Sequence, residues 1–386
     1  MKILYGVVGE GMGHATRSRV VIEHLATKGH EVKIVVSGRA HRFLTERLAD
    51  YPNVSVEQIE GLTLTYLGNA LDRSASIFHN LKNAPQAVAH NVDVYRKVAE
   101  AGFRPELVIS DFESWAALYA RRHGLPVVSI DNMQIINRCR HKKSLLKGKG
   151  FDFRVARLAV KSKLPGACHY LVTTFFTPEV RKSYTSLVPP ILRPEILRAK
   201  REPGEHVLVY QTQTTQHELV PTLRKLPYRF RVYGFGRDAV EGNVTLCSFS
   251  ETRFVDDLRT ARAAIAGGGF SLMSEAVALG VPLYSIPVKG QFEQELNARY
   301  LAELEYGAYS QALEAEAVAR FLDRASIYEK KLAARPRLDN SMLFGCVDEL
   351  VQRVARGESR VRMLSSPALA KSDDEEEAED EADAEG

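Results

Sequence analysis

Three consecutive glycines, Gly267 to Gly269, stand between a short apolar run, AAIA, and a stretch with helical periodicity. Glycine has no Cβ, so the chain can turn sharply here and bring backbone N–H groups close to a ligand. Those donors and the positive end of the following helix favour an anion. Ser271 and Glu275, four residues apart, share the polar face of that helix. We therefore expect the glycine turn to bind phosphate and the Glu275 carboxylate to accept hydrogen bonds from sugar hydroxyls. The alternative is that the turn only lets the helix pack closely on the strand.

His14 is the candidate for proton transfer, because it follows GEGMG at the start of a helical stretch. The positive end of a helix lowers the pKa of an imidazole and favours the neutral form, which can act as a general base. The alternative is a histidine that caps the helix or binds an anion. Gly11 and Gly13 would let the backbone approach a phosphate or an acceptor, and Arg17, one turn later, could contact an anionic acceptor.

Asp111, Asp131 and Asn132 each follow an apolar run of strand length. Ligands of parallel sheets bind beyond the carboxyl ends of the strands, so these side chains are expected at the same edge as His14. Asp111 could orient His14 and stabilise its protonated form. It could equally cap the helix predicted at residues 114–123. Asp131 and Asn132 are expected to contact the acceptor.

Strands and helices alternate along almost the whole chain, beginning with apolar runs at residues 2–8 and 31–37. This alternation predicts an α/β fold in which a parallel sheet has helices on both faces. Residues 170–174 are expected to form the last strand of the first half, and the alternation restarts at His206. Because both halves contain a strand, a Gly-rich turn, a helix, a glycine and a second strand, we predict two doubly wound, Rossmann-like domains that face each other across a cleft.

The domain boundaries follow from length and composition, since 386 residues are enough for two cores. We predict an N-terminal domain at 1–187, a linker at 188–204, a C-terminal domain at 205–357 and a tail at 358–386. The linker prediction rests on four prolines: Pro189, Pro190, Pro194 and Pro203. The tail is acidic, with ten Asp or Glu and no basic residue from 372 to 386. It is expected to be disordered, and to aid solubility or mask the basic body.

The composition is that of a soluble globular protein, with 45% hydrophobic and 26% charged residues. The cysteines are Cys139, Cys168, Cys247 and Cys346, which are widely scattered and form no CxxC pair. They favour a reducing compartment and no structural zinc. Neither a secretory signal nor an apolar run of membrane-spanning length is apparent, so we expect a cytoplasmic protein.

Residues 138–163 are strongly basic, with ten Lys or Arg, a single acid, Asp152, and several large apolar side chains. Such a surface suits an anionic membrane or a phosphorylated lipid acceptor, at the inner face of the membrane. Nucleic acid would also attract these charges, but no nucleic-acid-binding motif accompanies them, so none is expected as a partner. A solvated, mobile loop is the alternative.

Four ordered motifs resemble the GT-B glycosyltransferases: GEGMGHATR near the N-terminus, FVDDL at 254–258, AGGGFSLMSEAVALGVP, and EQELNA at 293–298. They are most similar to the group (family 28-like) that contains the peptidoglycan N-acetylglucosaminyltransferase and related bacterial and archaeal sugar transferases. The resemblance implies a nucleotide-sugar donor, usually UDP-linked, held by the C-terminal domain. It implies these donor contacts: Gly268, Gly269 and Ser271 for the diphosphate, Glu275 for the ribose, Phe254 and Val255 for the base through backbone contacts, and Glu293 and Gln294 for the transferred sugar.

Two positions depart from that group. Many relatives carry a basic or imidazole side chain where Gly267 stands. The first strand of the second half ends in QTQTTQ (211–216) where relatives often have a glycine-serine loop. Its three threonines, Thr212, Thr214 and Thr215, could donate hydroxyl hydrogen bonds to phosphate instead.

The predicted reaction is transfer of a sugar from a nucleotide-sugar donor to an acceptor hydroxyl, with inversion and without a metal or cofactor. His14 would take the acceptor proton while the Gly-rich N–H groups stabilise the leaving diphosphate. The acceptor would be lipid-linked, as in synthesis of the cell envelope, or a small molecule. The alternatives are a nucleotide-sugar 2-epimerase and a non-catalytic nucleotide-sugar-binding protein. A dehydrogenase is disfavoured, because Gly9, Gly11 and Gly13 lack the G-x-G-x-x-G spacing.

Overall fold

The computed structural model describes residues 1–9, 11–61, 65–67, 70–100, 102–210, 218–358, 361 and 363. The chain divides into two compact units: the first comprises residues 1–63, 77–191 and the chain from 340 onward, and the second comprises 64–76 and 192–339. The threonines of the 211–216 motif and the acidic residues 372–386 lie outside the described residues, so the expectations for them stay predictions. None of the described helices is both long enough and apolar enough to span a bilayer.

The strands are β1 (Lys2–Val7), β2 (Glu31–Ser37), β3 (Val54–Ile59), β4 (Thr65–Leu67), β5 (Ala70–Asp72), β6 (Leu107–Asp111), β7 (Val127–Asp131), β8 (Cys139–Arg140), β9 (His169–Thr173), β10 (Glu179–Val180), β11 (Thr185–Val188), β12 (His206–Tyr210), β13 (Arg229–Tyr233), β14 (Ala239–Glu241), β15 (Val244–Cys247), β16 (Ala263–Ala266), β17 (Leu283–Ser285) and β18 (Gly307–Tyr309). The helices are α1 (Met12–Thr27), α2 (Arg39–Arg47), α3 (Arg73–Glu100), α4 (Ser114–His123), α5 (Ile135–Arg138), α6 (Lys143–Leu146), α7 (Gly150–Lys163), α8 (Pro194–Arg198), α9 (Leu219–Leu223), α10 (Glu251–Thr260), α11 (Phe270–Leu279), α12 (Phe292–Glu303), α13 (Ala315–Asp323), α14 (Ala325–Ala333) and α15 (Ser341–Ala355).

The first unit is built on a seven-stranded sheet in the order β11-β9-β7-β6-β1-β2-β3, and every pairing in it is parallel. Alternate residues of β1 enter different cores: Ile3 and Tyr5 pack with α1, whereas Leu4 packs with α4. Both faces are therefore covered, as the near-continuous apolar strands require. Because β6 lies between β1 and β7, the residues that follow these three strands meet at one edge of the sheet.

Helix α15 groups with the first unit, whereas the sequence prediction placed it in the C-terminal domain at 205–357. Its apolar side chains are buried in the same cluster as α1, and Val361 and Met363 beyond it are buried there too. His24 of α1 stacks on Phe344, with ring centroids 4.1 Å apart, and its Nε2 lies 2.7 Å from an Asp348 oxygen. The periodicity of an amphipathic helix specifies which face is buried but not the core against which it packs.

The second unit has its own seven-stranded sheet, in the order β14-β15-β13-β12-β16-β17-β18. All its pairings are parallel except β14 with β15, which is antiparallel at the edge. Antiparallel edge strands are common on otherwise parallel sheets. Strand β16 lies between β12 and β17 and is fully buried, and it leads directly into the three glycines and α11.

Several short elements differ from the sequence prediction. Strand β11 adds a further strand after the one predicted as last, and α8 lies inside the predicted linker 188–204. The division between the units at residues 191 and 192 does fall within that linker. The basic segment 138–163 folds mainly as α6 and α7 rather than as a loop. Strands of three or four residues, such as β11, are too short to show a hydrophobic period, so the sequence pattern does not predict them.

Candidate functional site

His14 lies in the first turn of α1, directly beyond the end of β1. Gly11 precedes the helix with a φ of 83°, in the left-handed region that favours glycine, and Gly13 lies inside the first turn. The His14 side chain is 19% exposed, and its Nδ1 atom is 2.9 Å from Oδ1 of Asp111 at the end of β6. The two predicted catalytic residues are thus neighbours, as the strand order requires.

Asp111 is buried and accepts several hydrogen bonds: from Nε of Arg17 at 2.8 Å, from Nη2 of Arg17, and from Oγ of Ser18 at 2.9 Å. Burial alone would raise the pKa of Asp111, but the positive charge of Arg17, together with hydrogen bonds from Arg17 and His14, outweighs it and holds that pKa well below its usual range. The carboxylate is therefore ionised. The alternative role of Asp111 as a helix cap is wrong, because Glu113 caps α4 by accepting from two backbone N–H groups, at 2.7 and 2.8 Å.

Arg17 is part of this cluster and 5% exposed. Its Nη1 donates to Oδ1 of Asn132, and its Nη2 lies 2.7 Å from Nδ1 of His14. The guanidinium thus joins Asp111, Asn132 and His14. This placement differs from the expected contact with an anionic acceptor, and it follows from the helical spacing of three residues between His14 and Arg17.

The pKa of His14 is lowered, first by burial and then by the positive charge of Arg17, while Asp111 opposes the shift. The imidazole is therefore neutral at physiological pH. If its proton is on Nδ1, it donates to Asp111 and leaves a lone pair on Nε2. If the proton is on Nε2, Nδ1 accepts from Arg17 and no basic nitrogen faces outward. Asp111 and Arg17 thus compete for Nδ1 of His14. Asp111 favours the tautomer with the proton on Nδ1, which leaves Nε2 free to act as a base.

Asp131, the last residue of β7, and Asn132, which follows it, lie beside this cluster. Asp131 is fully buried; one oxygen accepts from Oγ of Ser129 at 2.6 Å and the other from the backbone N–H of Gln134 at 2.8 Å. Burial raises the pKa of Asp131 to about 6, against the effect of the Ser129 hydroxyl. The carboxylate shapes the loop that follows β7, while Asn132 contacts Arg17.

In the second unit, the glycines after β16 have distinct surroundings. The N–H of Gly268 donates to Oε1 of Gln294 at 3.0 Å, and a Cβ on Gly268 would lie 2.4 Å from the Gln294 carbonyl oxygen. A Cβ on Gly269 would meet nothing, and Gly269 has no side chain with which to cap α11. Gly268 therefore serves close packing, whereas Gly269 leaves the helix N-terminus open. A Cβ on Gly267 would meet only ordinary contacts, at 3.4 Å or more.

The pair predicted to grip the sugar, Glu293 and Gln294, is tied to this glycine turn. Oε1 of Gln294 accepts a second hydrogen bond, from the N–H of Val288 at 3.1 Å. Nδ2 of Asn297 contacts the Gly268 carbonyl at 3.1 Å and Oε1 of Glu293 at 2.6 Å. The structure thus brings together two motifs that are about twenty-five residues apart in the sequence. It also shows a role for Asn297 that sequence reasoning missed.

Glu275 lies on α11 together with the partly buried Ser271, but it is paired. Nε and Nη2 of Arg193 donate to its two carboxylate oxygens at 2.7 and 2.9 Å, and Nη1 of Arg193 donates to Glu251 at 2.9 Å. Burial raises the pKa of Glu275 although Arg193 opposes this. A carboxylate has about four acceptor sites, so the ion pair leaves capacity for hydroxyl groups. The sequence contained no signal for this pair, which spans 82 residues.

Phe254 and Val255 are buried within α10, which begins at Glu251. The Phe254 N–H donates to the Ser250 carbonyl at 2.8 Å, and its ring packs edge-on against Tyr233, with centroids 5.0 Å apart. Its N–H is therefore engaged within the helix, which differs from the expected backbone contact with a base.

Two parallel α/β units, one with a His-Asp pair beyond its strands and one with a glycine turn at a helix N-terminus, define a GT-B glycosyltransferase. The sequence profile described as glycosyl transferase family 1 matches residues 1–326. The chain therefore belongs to this family and is a glycosyltransferase, which confirms the predicted class and fold. The nearness to the peptidoglycan group stays a prediction.

Relatives and solved structures agree with this assignment. An uncharacterized glycosyltransferase of Methanosarcina acetivorans is 26% identical over 340 residues, which cover 80% of this chain and 85% of the relative. One from Methanosarcina mazei is 26% identical over 348 residues, with the same coverage of both chains. These matches do not favour the two alternatives to a transferase, which are a nucleotide-sugar 2-epimerase and a non-catalytic binding protein.

Solved structures show the same fold at low identity. The calicheamicin glycosyltransferase CalG4 superposes with a TM-score of 0.59 at 20% identity, covering 92% of this chain and 99% of that one. LpCGTa in complex with UDP has a TM-score of 0.62 at 15% identity, with 92% and 99% covered. Phytolacca americana UGT2, complexed with UDP-2fluoro-glucose and pterostilbene, has a TM-score of 0.63 at 16% identity, with 91% and 98% covered.

Proposed function

We propose that the protein transfers a sugar from a UDP-sugar to an acceptor hydroxyl, with inversion at the anomeric carbon and without a metal or cofactor. The main support is the contact between Nδ1 of His14 and Asp111, at 2.9 Å. An ionised carboxylate there holds the proton on Nδ1 and leaves Nε2 to accept the acceptor's proton. Asp111 also stabilises the imidazolium that forms, which is the second-member role of a His-Asp pair.

The donor half of the proposal concerns the second unit. The diphosphate would lie at Gly269 and Ser271 in the first turn of α11, where the helix dipole stabilises charge on the leaving UDP. Glu275 would accept from the ribose hydroxyls, and Glu293 with Gln294 would border the sugar. Uridine is favoured because two similar solved proteins hold UDP or a UDP-sugar analogue.

The test begins with ligand-dependent thermal stability. UDP should raise the melting temperature and NAD should not, since a ligand at a hundred times its dissociation constant adds about 2.7 kcal/mol. His14→Ala should then lower transfer by about 100-fold or more, with UDP affinity unchanged, because a general base contributes about that much. His90→Ala, at an exposed histidine of the same unit, is the control. Retained turnover in His14→Ala would remove His14 as the base.

The stereochemistry and the epimerase alternative need separate readouts. The anomeric proton of the product, followed by NMR from the first turnovers, should have the configuration opposite to the donor. Retention would contradict direct displacement. An epimerase would convert the donor sugar without any acceptor, and incubation with UDP-N-acetylglucosamine alone would show this.

We infer that a lipid-linked acceptor would be met at an anionic membrane surface through α7. This helix exposes Phe151, Val155 and Leu158 by 68%, 42% and 69%, at a spacing of four and three residues that places them on one face. Arg154 and Lys161 are exposed on the same helix. Apolar anchors beside cations suit an anionic bilayer. Vesicles of phosphatidylglycerol should bind the protein, phosphatidylcholine should not, and Phe151→Ser with Leu158→Ser should abolish binding; equal binding to both lipids would contradict the inference.

A further inference from the structure

A row of cations runs along α7. Arg154, Arg157 and Lys161, spaced three and four residues apart, lie on one face of this helix. Arg154 and Lys161 are exposed, and Arg157 is half-buried, with its guanidinium carbon 5.8 Å from the centroid of the Phe153 ring. The one acid in the sequence of α7 is Asp152, in the first turn. These three residues, the cationic row, therefore present a positive surface.

The charge of the chain is distributed very unevenly. Residues 138–163 hold ten Lys or Arg and a single acid. Residues 372–386, here called the acidic segment, hold ten Asp or Glu and no Lys or Arg. Apart from its final glycine, the apolar residues of the acidic segment are all alanines, so it has no large side chain to add to a core. A surface that binds the acidic segment must therefore recognise it by charge.

The last described residues lie close to the point where α7 ends. The N–H of Val361 donates to the Cys168 carbonyl at 3.1 Å, and the Val361 carbonyl lies 2.7 Å from Nδ1 of His169. Met363 is buried in the same core as Val361 and Cys168. Cys168 comes five residues after Lys163, the last residue of α7. The chain beyond Met363 therefore starts near the carboxyl end of α7.

The lengths of chain allow the acidic segment to reach the cationic row. The five residues from α7 to Cys168 span at most about 18 Å. Oη of Tyr170 shortens this path, because it donates to the Leu164 carbonyl at 2.8 Å and accepts from the Ala167 N–H at 3.2 Å. Helix α7 has 14 residues and is about 21 Å long. Asp373 is ten residues beyond Met363, and ten residues reach up to about 35 Å.

Attachment to the same chain makes individually weak contacts sufficient. An exposed ion pair adds little stability by itself, but a short link between two binding surfaces gives an effective concentration in the mM range. Several opposite charges also act together, over a screening distance of about 8 Å at physiological ionic strength. At about 1 M salt this distance falls to about 3 Å, so such a contact depends strongly on salt.

We propose that the acidic segment docks on the cationic row of α7 in the same molecule. The docked segment neutralises the charges that attract anionic lipid, so a bilayer has to displace it before α7 can bind. This consequence rests on the membrane contact proposed above, whereas the docking itself does not. The protein thus contains its own competitor for the surface of α7.

The experiment is zero-length cross-linking of the full-length protein. A water-soluble carbodiimide joins a carboxylate to an amine only when the two are in contact, and the cross-linked peptides of the monomer are quantified by mass spectrometry. The acidic segment should be joined to Lys161 in higher yield than to Lys225, an exposed lysine of the second unit. The Lys161 yield should fall at about 1 M NaCl. Equal yields at the two lysines, or a Lys161 yield that is independent of salt, would overturn the proposal.

Two matched double variants test the cationic row. Arg154→Gln with Arg157→Gln removes two charges and leaves Lys161 as the reporter, and the Lys161 yield should fall by about threefold or more, since each pair adds to the attraction. Arg224→Gln with Arg229→Gln, at exposed residues of the second unit, should leave it unchanged. An unchanged Lys161 yield in the α7 variant, or cross-links found only between two copies of the chain, would count against docking in the same molecule.

Vesicles separate the docking from the membrane contact. Phosphatidylglycerol vesicles should lower the Lys161 yield, and phosphatidylcholine vesicles should not. Protein that sediments with phosphatidylglycerol and keeps its full Lys161 yield would show that lipid does not displace the acidic segment, and would overturn the competition. Protein that fails to sediment with phosphatidylglycerol, but keeps the salt-dependent cross-link to Lys161, would support the docking and refute the proposed membrane contact instead.

Discussion

Replacing Arg17 with glutamine should raise the pKa of His14 and move the acid limb of the activity profile to higher pH. In the native cluster the guanidinium is 2.7 Å from Nδ1 of His14 and contributes to the lowered pKa of the imidazole. Glutamine removes this positive charge but leaves the Asp111 carboxylate beside the ring. Because a base works only when it is neutral, activity would then be lost at a higher pH than in the wild type.

The size of the effect follows from charge and distance. A charge within about 4–6 Å shifts a pKa by roughly 1–3 units. Asp111 also loses its strongest partner, so the His14-Asp111 pair takes up a proton more readily at whichever site it binds. Breaking a buried ion pair costs about 3–5 kcal/mol of stability. The variant must therefore be studied well below its own melting temperature.

The assay is kcat/KM against pH together with an NMR titration of the His14 ring, assigned by comparison with His14→Ala. Arg17→Lys, which keeps a positive charge, is the matched control, and its His14 pKa should stay close to that of the wild type. A His14 pKa that is unchanged or lower in Arg17→Gln would refute the reasoning. Asp131, with a pKa of about 6, also titrates in this range, and the NMR signal separates the two groups.

Three further predictions concern other parts of the chain. Glu275→Gln should weaken the preference for UDP over 2′-deoxy-UDP, measured as inhibition constants, by about tenfold; an unchanged preference would remove Glu275 as the ribose contact. Asp131→Asn should gain stability relative to the wild type as pH rises from about 4 to 7. The pKa of Asp131 is about 6 in the folded protein and lower in the unfolded chain, so its contribution to the unfolding free energy of the wild type falls by about 3 kcal/mol as pH rises from about 4 through 6. A difference in unfolding free energy between the two proteins that stays constant with pH would contradict this. Leu350→Ala should destabilise the first unit by about 2–5 kcal/mol in denaturant unfolding but leave UDP affinity unchanged, and weaker UDP binding would argue against the placement of α15.

The sequence predicted well those features that depend on local pattern. Strand β2 and helix α4 have the predicted bounds, because each is a run of one period between turn or capping residues. The nearness of His14 and Asp111 could also be predicted. It depends only on which strand ends they follow, and parallel strands bring their carboxyl ends to one edge.

Features that depend on distant partners could not be predicted. Nothing near Glu275 in the sequence indicates that Arg193 will occupy both its oxygens. In the same way, Gln294 could be placed near a ligand by resemblance, but not recognised as the acceptor for the Gly268 N–H. Such contacts depend on side-chain geometry across elements, for which a single sequence has no periodic signal.

The placement of α15 has a consequence for the order of events during synthesis. The first unit includes residues from 340 onward, whereas the second unit ends at residue 339. A ribosome extends a chain by roughly 5–20 residues per second, and domains usually fold as they emerge, N-terminal first. In this chain the second unit, the proposed donor half, has all its residues while the unit containing His14 still lacks the helix that shares a core with α1. The unit proposed to bind the nucleotide is thus synthesised in full before the proposed catalytic base is set in a finished core.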